Sequence, residues 1–178
     1  AFEQDLVTED VIYLQGGHDS EGTQLEALDT EAAREAILSR KDNTAAFAVS
    51  GYFSVRNPEH ELEVKALIED LTSTDGKLPL PVTCGHELTT KLNSIRRATT
   101  AALNARLIPI LQDLILTVRR ELDSLGVHAP LMIVKGDGSL VRSEWAIQRP
   151  IETILSGPAA SVVGAWHIAG REDVWVVD

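Results

Sequence analysis

Residues 44–71 read TAAFAVSGYFSVRNPEHELEVKALIEDL, and the order of signals in that stretch sets the fold class. Thr44 to Phe53 is an apolar run that reads as a buried strand loosening at Gly51. Asn57-Pro58 then starts a helix: a capping side chain is followed by proline at the first helical position, where an N–H would have no partner anyway. Glu59 and Glu61 fall in the first turn, where negative charge suits the helix dipole. Leu67, Ile68 and Leu71 supply the inward stripe. Asp75-Gly76 closes the helix, and Leu80 to Cys84 reads as the next strand.

The same alternation extends both ways. Upstream, Val11 to Leu14 is a short apolar run closed by Gly16 and Gly17. Asp29 then caps a helix whose inner face is Ala32, Ala33, Ala36 and Ile37. Downstream, residues 89–125 are helical. Leu92, Ile95, Thr99, Ala102 and Leu103 line the first half, and Leu111, Leu114, Ile115, Val118, Leu122 and Leu125 the second. Pro109 between them predicts a kink or a break, and Gly126 a C-cap. Pro130 to Val134 is a strand followed by the turn KGDGSL. Ser143 caps a short helix that Pro150 ends, and Thr153 to Leu155 is extended. Ser156-Gly157-Pro158 opens a helix through His167, and Val174 to Val177 is a last buried strand before Asp178. Strands alternating with helices predict an α/β fold, a mostly parallel sheet with flanking helices, formed by residues 1–178 as a single segment. A chain that finishes on a buried strand reads as a piece of a longer protein.

The formal net charge is −11. An acidic exterior repels phosphate backbones and anionic bilayers, so neither nucleic acid nor membrane is expected as a partner. The one cysteine, Cys84, has no disulfide partner in the chain and reads as a buried, inert thiol. AFEQDLVTED carries no signal-peptide pattern, and the apolar stretch IPILQDLILTV is short for a bilayer; a cytoplasmic location is expected.

Four motifs hold candidate chemistry, each with a plainer structural meaning. SGPAASVVGA, residues 156–165, makes a helix of little bulk that can pack closely, and its start at Ser156, Gly157 and Pro158 exposes N–H groups suited to an anion. Gly136, Asp137 and Gly138 turn the chain after a strand, where α/β proteins place ligands; an ordinary glycine-rich turn looks the same. His86 and Glu87 follow a strand and offer an acid–base pair; they do not form HExxH, and no second histidine stands at helical spacing. Arg96, Arg97, Thr99, Thr100 and Asn104 crowd one helix with polar groups that need partners.

In order and spacing, GGHDSEG (16–22), LEALD (25–29), YFSVRNPEHE (52–61), GHEL (85–88), RRATTAALNA (96–105), VKGDGSLV (134–141) and RPIETILSGPAASVVGA (149–165) resemble the hydantoinase/oxoprolinase A family. The resemblance implies part of an actin-like, ribonuclease-H-like ATPase lobe. It also implies an enzyme that uses ATP and Mg2+ to open hydantoin or 5-oxoproline rings, through phosphoryl activation of an amide oxygen. Related proteins are subunits of ATP-dependent ketone carboxylases. VWVVD, residues 174–178, matches the strand and aspartate that open a family phosphate motif, which makes Asp178 a candidate catalytic residue and metal ligand. Gly136, Asp137, Gly138, Ser156, Gly157 and Pro158 become candidate nucleotide contacts, with His86 and Glu87 orienting substrate. The family's early Asp-x-Gly-Gly-Thr motif has no counterpart, and Lys135-Gly136-Asp137-Gly138 stands where the family reads Gln-Ser-Asn/Asp-Gly-Gly. Implied partners are the cyclic amide, the remaining domains of the protein and a hydantoinase B-type subunit. By itself the chain is expected to hold no nucleotide tightly and to be inactive. The alternatives are a ketone carboxylase subunit and a non-catalytic interaction domain on the same scaffold.

Overall fold

The computed structural model describes residues 10–74, 78–170, 173 and 175–177. The expected helix end at Asp75-Gly76, and the residues Val174 and Asp178, lie outside them. Two compact units divide the chain, residues 1–109 and 110–178.

The first unit grows from the two helix starts legible in the sequence. Asp29 Oδ1 accepts from Ala32 N at 2.9 Å and starts α1, Thr30–Leu38. Asn57 Oδ1 accepts from Glu59 N at 3.0 Å just ahead of α2, Glu59–Thr72, whose N-cap is Pro58, so the proline precedes the first helical position expected for it. Ile37 of α1 meets Val64 and Ile68 of α2, and Leu14, Leu28, Phe47, Val49, Leu67, Leu71 and Val82 pack around them. Before α1, β1 (Gly17–His18) pairs antiparallel with β2 (Gln24–Glu26). The turn between them is held by Asp19 Oδ1, which accepts from Glu21 N and Thr23 N at 2.9 and 2.8 Å. After α1, β3 (Phe47–Val49) lies parallel to β4 (Val82–Cys84), with α2 as the crossover. A four-residue helix, α3 (Gly85–Leu88), follows β4 directly.

Helix α4, Ser94–Ser124, runs 31 residues and continues through Pro109, so of the kink or break expected there the break is absent. Its buried face is Arg97, Ala101, Asn104, Ala105 and Ile108, while Leu92 and Ile95, expected inside, are exposed. That length and composition would also suffice to cross a bilayer, so the argument from shortness fails. Its buried arginine and asparagine are both hydrogen-bonded within the first unit.

In the second unit, Gly126, at φ +72°, ends α4 as expected. A hairpin of β5 (Met132–Val134) and β6 (Leu140–Arg142) follows, then α5 (Ser143–Gln148), a 3-10 turn over Pro150–Thr153 and α6 (Ser156–Ala169). Ile115, Ser143, Ala146 and Pro150 are buried. Arg119 reaches Ser143 Oγ at 2.7 Å and pairs with Glu144. Lys135 and Arg149 each lie 5.4 Å from the centre of the Trp145 ring.

The protein is thus mixed α/β, but the expected mostly parallel sheet is not seen among the described residues. Among the described residues there are three two-stranded sheets, and only β3–β4 is parallel. The tight turns at Asp19 and Asp137 double the chain back as hairpins, where a parallel pair needs a long crossover. Val11–Leu14 forms no strand, and Trp175–Val177 lie in no regular element, with Trp175 and Val177 exposed.

The hairpin turn fits tightly. A Cβ on Gly136 would fall 2.3 Å from the Ile154 carbonyl oxygen, and Gly136 N already donates to Glu152 O at 2.8 Å. Gly136→Ala is therefore expected to destabilise the second unit by about 1–3 kcal/mol. Chemical denaturation followed by Trp145 fluorescence measures it, and an unchanged midpoint would contradict the packing.

Candidate functional site

Because β3 and β4 run parallel with Val49 opposite Cys84, the residues that follow them emerge at the same edge. The carboxyl ends of parallel strands are where α/β proteins collect ligands. Here Ser50-Gly51 meets Gly85-His86. Gly85 is packed so closely that a Cβ would come 3.1 Å from Ser50 Oγ, 3.2 Å from Glu61 Oε1 and 3.3 Å from Arg97 Cγ.

Glu61, from the first turn of α2, fastens both loops. Its Oε1 accepts from Gly51 N at 2.7 Å. Its Oε2 accepts from His86 N at 3.0 Å and lies 2.6 Å from His86 Nδ1. Only 1% of Glu61 is exposed. The sequence reading gave this residue to the helix dipole, and the structure turns it inward. A signal was present: the buried residues of α2 are Glu61, Val64, Ile68 and Thr72, so Glu61 stands on the apolar stripe one turn early.

Arg97, fully buried on α4, completes the cluster. One terminal nitrogen donates to Lys91 O at 2.8 Å, and the other to Gly51 O at 2.6 Å and Tyr52 O at 2.5 Å. Burial lowers its pKa from the ordinary arginine value, and the charge of Glu61 works against that shift. Asn104, two turns further along the same face, donates to Thr83 Oγ1 at 3.0 Å.

The two residues expected to act together here have separate tasks. His86 joins Glu61 and keeps 20% of its side chain exposed. Glu87 serves α3 instead: its Oε2 accepts from Cys84 N at 3.1 Å, and its Oε1 pairs with Lys65 Nζ at 2.7 Å. Burial opposes the charge on Lys65, but the hydrogen bond and charge of Glu87 outweigh it and raise the ammonium's pKa.

Ligand-type atoms of Glu61, Cys84 and His86 lie within 4.8 Å of one another. The donor set does not suit a cation as it stands. The Cys84 thiol is pushed up to about 12, first by burial and then by the carboxylates of Glu87 and Glu61, and a thiol in that state is a poor ligand. Its Sγ lies 3.6 Å from Glu61 O, and Glu61 and His86 are already joined by hydrogen bonding.

A groove of about 1190 Å³ lies beside the cluster within the first unit. Gly51, Tyr52 and Glu61 are among its lining residues, and His86 is not. His18 and His60 also line it, their rings tilted against each other at 4.2 Å. Burial and the neighbouring His18 lower the pKa of His60.

The candidates of the second unit are not brought together in this way. Asp137 Oδ1 accepts from Ser139 N at 2.9 Å and Ser139 Oγ at 2.6 Å, and its other oxygen pairs with Lys135. Those bonds hold its carboxyl down at about 2, Ser139 contributing most. Gly136 and Gly138 are shaped by contact with Ile154 and Val163. The turn is thus held by its own packing and hydrogen bonds. Ser156-Gly157-Pro158 opens α6 as expected, and nothing lies within 4 Å of a Cβ built on Gly157. The close packing expected of this small-residue helix is seen only where Val163 meets Gly138, among the described residues: none of α6 is buried, and Val162, Val163, Trp166 and Ile168 are exposed.

A parallel β–α–β unit with polar side chains gathered at its strand ends makes this an α/β chain. Its family is shown by two models: one described as hydantoinase/oxoprolinase N-terminal region matches residues 2–72, and one described as hydantoinase/oxoprolinase matches residues 97–178. The chain belongs to the hydantoinase/oxoprolinase family. It is 29% identical over 164 residues to caprolactamase subunit alpha of Pseudomonas jessenii, covering 89% of this chain and 23% of that one. It is 28% identical over 155 residues to the acetophenone carboxylase gamma subunit of Aromatoleum aromaticum, covering 86% and 21%. The crystal structure of the ATP-dependent caprolactamase from Pseudomonas jessenii superposes with a TM-score of 0.74 at 25% identity, over 89% of this chain and 23% of that one. The chain spans less than a quarter of the length of these relatives.

Replacing Arg97 with leucine strands three carbonyls and leaves Glu61 without its cation. It is expected to cost about 3–5 kcal/mol in equilibrium unfolding; a loss under about 1 kcal/mol would show the cluster to be incidental. Cys84 should resist thiol reagents in the native chain at neutral pH and react once it unfolds. Because its folded pKa, about 12, lies above the ordinary 9.0, stability is intact below pH 9 and falls as pH rises from 9 towards 12. Cys84→Ala should flatten that alkaline limb in a melting series.

Proposed function

We propose that the protein containing this chain is an ATP-dependent enzyme that opens the amide bond of a cyclic substrate, a hydantoin, 5-oxoproline or lactam-type ring. The observation that carries the reading is the likeness to caprolactamase subunit alpha along 89% of the chain, because caprolactam is itself a ring closed by one amide bond. In the reaction, the oxygen of water bonds to the carbonyl carbon and the ring C–N bond breaks. One proton leaves the water and one arrives on the ring nitrogen. His86 is the residue of this chain suited to hold the travelling proton, with Glu61 behind it. Glu87 supports the same helix and is not assigned a substrate contact.

ATP, when bound, would supply a phosphoryl group that activates the amide oxygen, with Mg2+ offsetting the phosphate charge. Among the described residues, the open start of α6 at Ser156-Gly157-Pro158 is the proposed phosphate contact, and Asp178 remains the proposed metal ligand. An actin-like ATPase lobe, a hydantoinase B-type partner subunit and the rest of the polypeptide belong to the same proposal; caprolactamase and acetophenone carboxylase are both described as subunits.

A second reading has its own support. The acetophenone carboxylase gamma subunit is nearly as similar, which favours ATP-dependent carboxylation of a ketone. The two part company on bicarbonate. Full-length protein with its partner subunit is expected to hydrolyse ATP in response to a lactam or hydantoin without added bicarbonate. ATP turnover that demands both a ketone and bicarbonate would replace the first reading with the second. Residues 1–178 alone are expected to show no ATP-dependent ring opening.

A further inference from the structure

The two ring nitrogens of His86 are not equivalent. Nδ1 lies 2.6 Å from Glu61 Oε2, and the same oxygen accepts the backbone N–H of His86 at 3.0 Å. The ring and the main chain of one residue are therefore tied to one atom. An ionised carboxylate only accepts, so the hydrogen of a neutral His86 sits on Nδ1 and Nε2 presents a lone pair. Glu61 has no freedom to swing away. Its other oxygen takes the Gly51 N–H at 2.7 Å, and the Gly51 carbonyl is gripped by Arg97 at 2.6 Å. Exposure divides between the partners: 1% of the Glu61 side chain is exposed against 20% for His86. A buried anchor behind a partly open imidazole is the arrangement that fixes a tautomer in acid–base pairs, and an amide in place of the carboxylate presents the wrong one.

We propose that Glu61 is a positioning residue that holds His86 with Nε2 as its free proton acceptor, ready to take a proton from water or another nucleophile. The tautomer rests on geometry alone, and its use in turnover rests on the role given to His86 under the proposed function.

The experiment uses the full-length protein and two substitutions, Glu61→Gln and His86→Gln. Glutamine keeps the volume of Glu61. One amide oxygen cannot serve both the Gly51 N–H and the His86 N–H, so an acceptor is lost whichever way the side chain turns; with the oxygen on the Gly51 N–H, the amide donates towards Nδ1 and moves the imidazole hydrogen to Nε2. The first readout is carbethoxylation of histidines by diethyl pyrocarbonate at fixed neutral pH, followed residue by residue by mass spectrometry. In Glu61→Gln, His86 should label about tenfold more slowly, since the reagent needs the unprotonated nitrogen. His128, with 80% of its side chain exposed, serves as the internal control and should label at the same rate as before. Local unfolding would open His86 and speed its labelling, so a folding failure cannot mimic the expected result. Labelling of His86 at an unchanged or higher rate overturns the proposal. The second readout is turnover: Glu61→Gln should lower kcat about 100-fold with KM little changed. If His86→Gln keeps full turnover while the labelling difference stands, the catalytic role of His86 fails and the positioning by Glu61 survives.

Discussion

A carboxylate with almost no contact with solvent must be solvated by the chain itself, and Glu61 imposes that demand on everything around it. Left unpaired, such a charge costs several kcal/mol. Two backbone N–H groups and the His86 ring converge on it, and Arg97 carries the opposite charge into the same space. The loops after β3 and β4 are consequently joined through one side chain, which does what additional strand pairing would otherwise do for strands only three residues long. Gly85 follows from the same demand, since any larger residue would push into Ser50, Glu61 and Arg97 together.

How much of this was legible depended on whether the deciding interaction was local. The Asp29 cap, the Asn57-Pro58 start, Ile68 on the apolar stripe, the glycine that ends α4 and the opening of α6 are set within a few residues, and they appear where the sequence places them. Strand partners are set at long range. The runs at Val11–Leu14 and Thr44–Phe53 were overdrawn because hydrophobicity marks burial, not pairing; only Phe47–Val49 of the second forms a strand. The α4 face was misjudged for a related reason. Its inward positions are held by Arg97 and Asn104, polar residues buried because carbonyls and Thr83 await them, and periodicity of apolar residues cannot show that. His86 was visible as a residue that follows a strand, whereas its partner, 25 positions earlier in sequence, was not.

The two units use their charged groups differently. In the first, Glu61 and Arg97 are taken out of water and held by backbone. In the second, Lys135, Asp137, Arg149 and Glu152 form ion pairs near the surface around Trp145. Pairs of that kind add little stability individually. The KGDG turn packs its glycines against neighbours and bonds its aspartate to Ser139.

Leu155, immediately before α6, adopts φ 62° and ψ 20°, a left-handed conformation that a branched side chain tolerates poorly. Its own side chain is 72% exposed, so little packing compensates for the twist. The junction leading into α6 is therefore under tension by choice of residue alone. Exchanging that leucine for glycine would relax the backbone while surrendering almost no buried surface, a rare spot in this chain where a smaller residue would make the fold more comfortable.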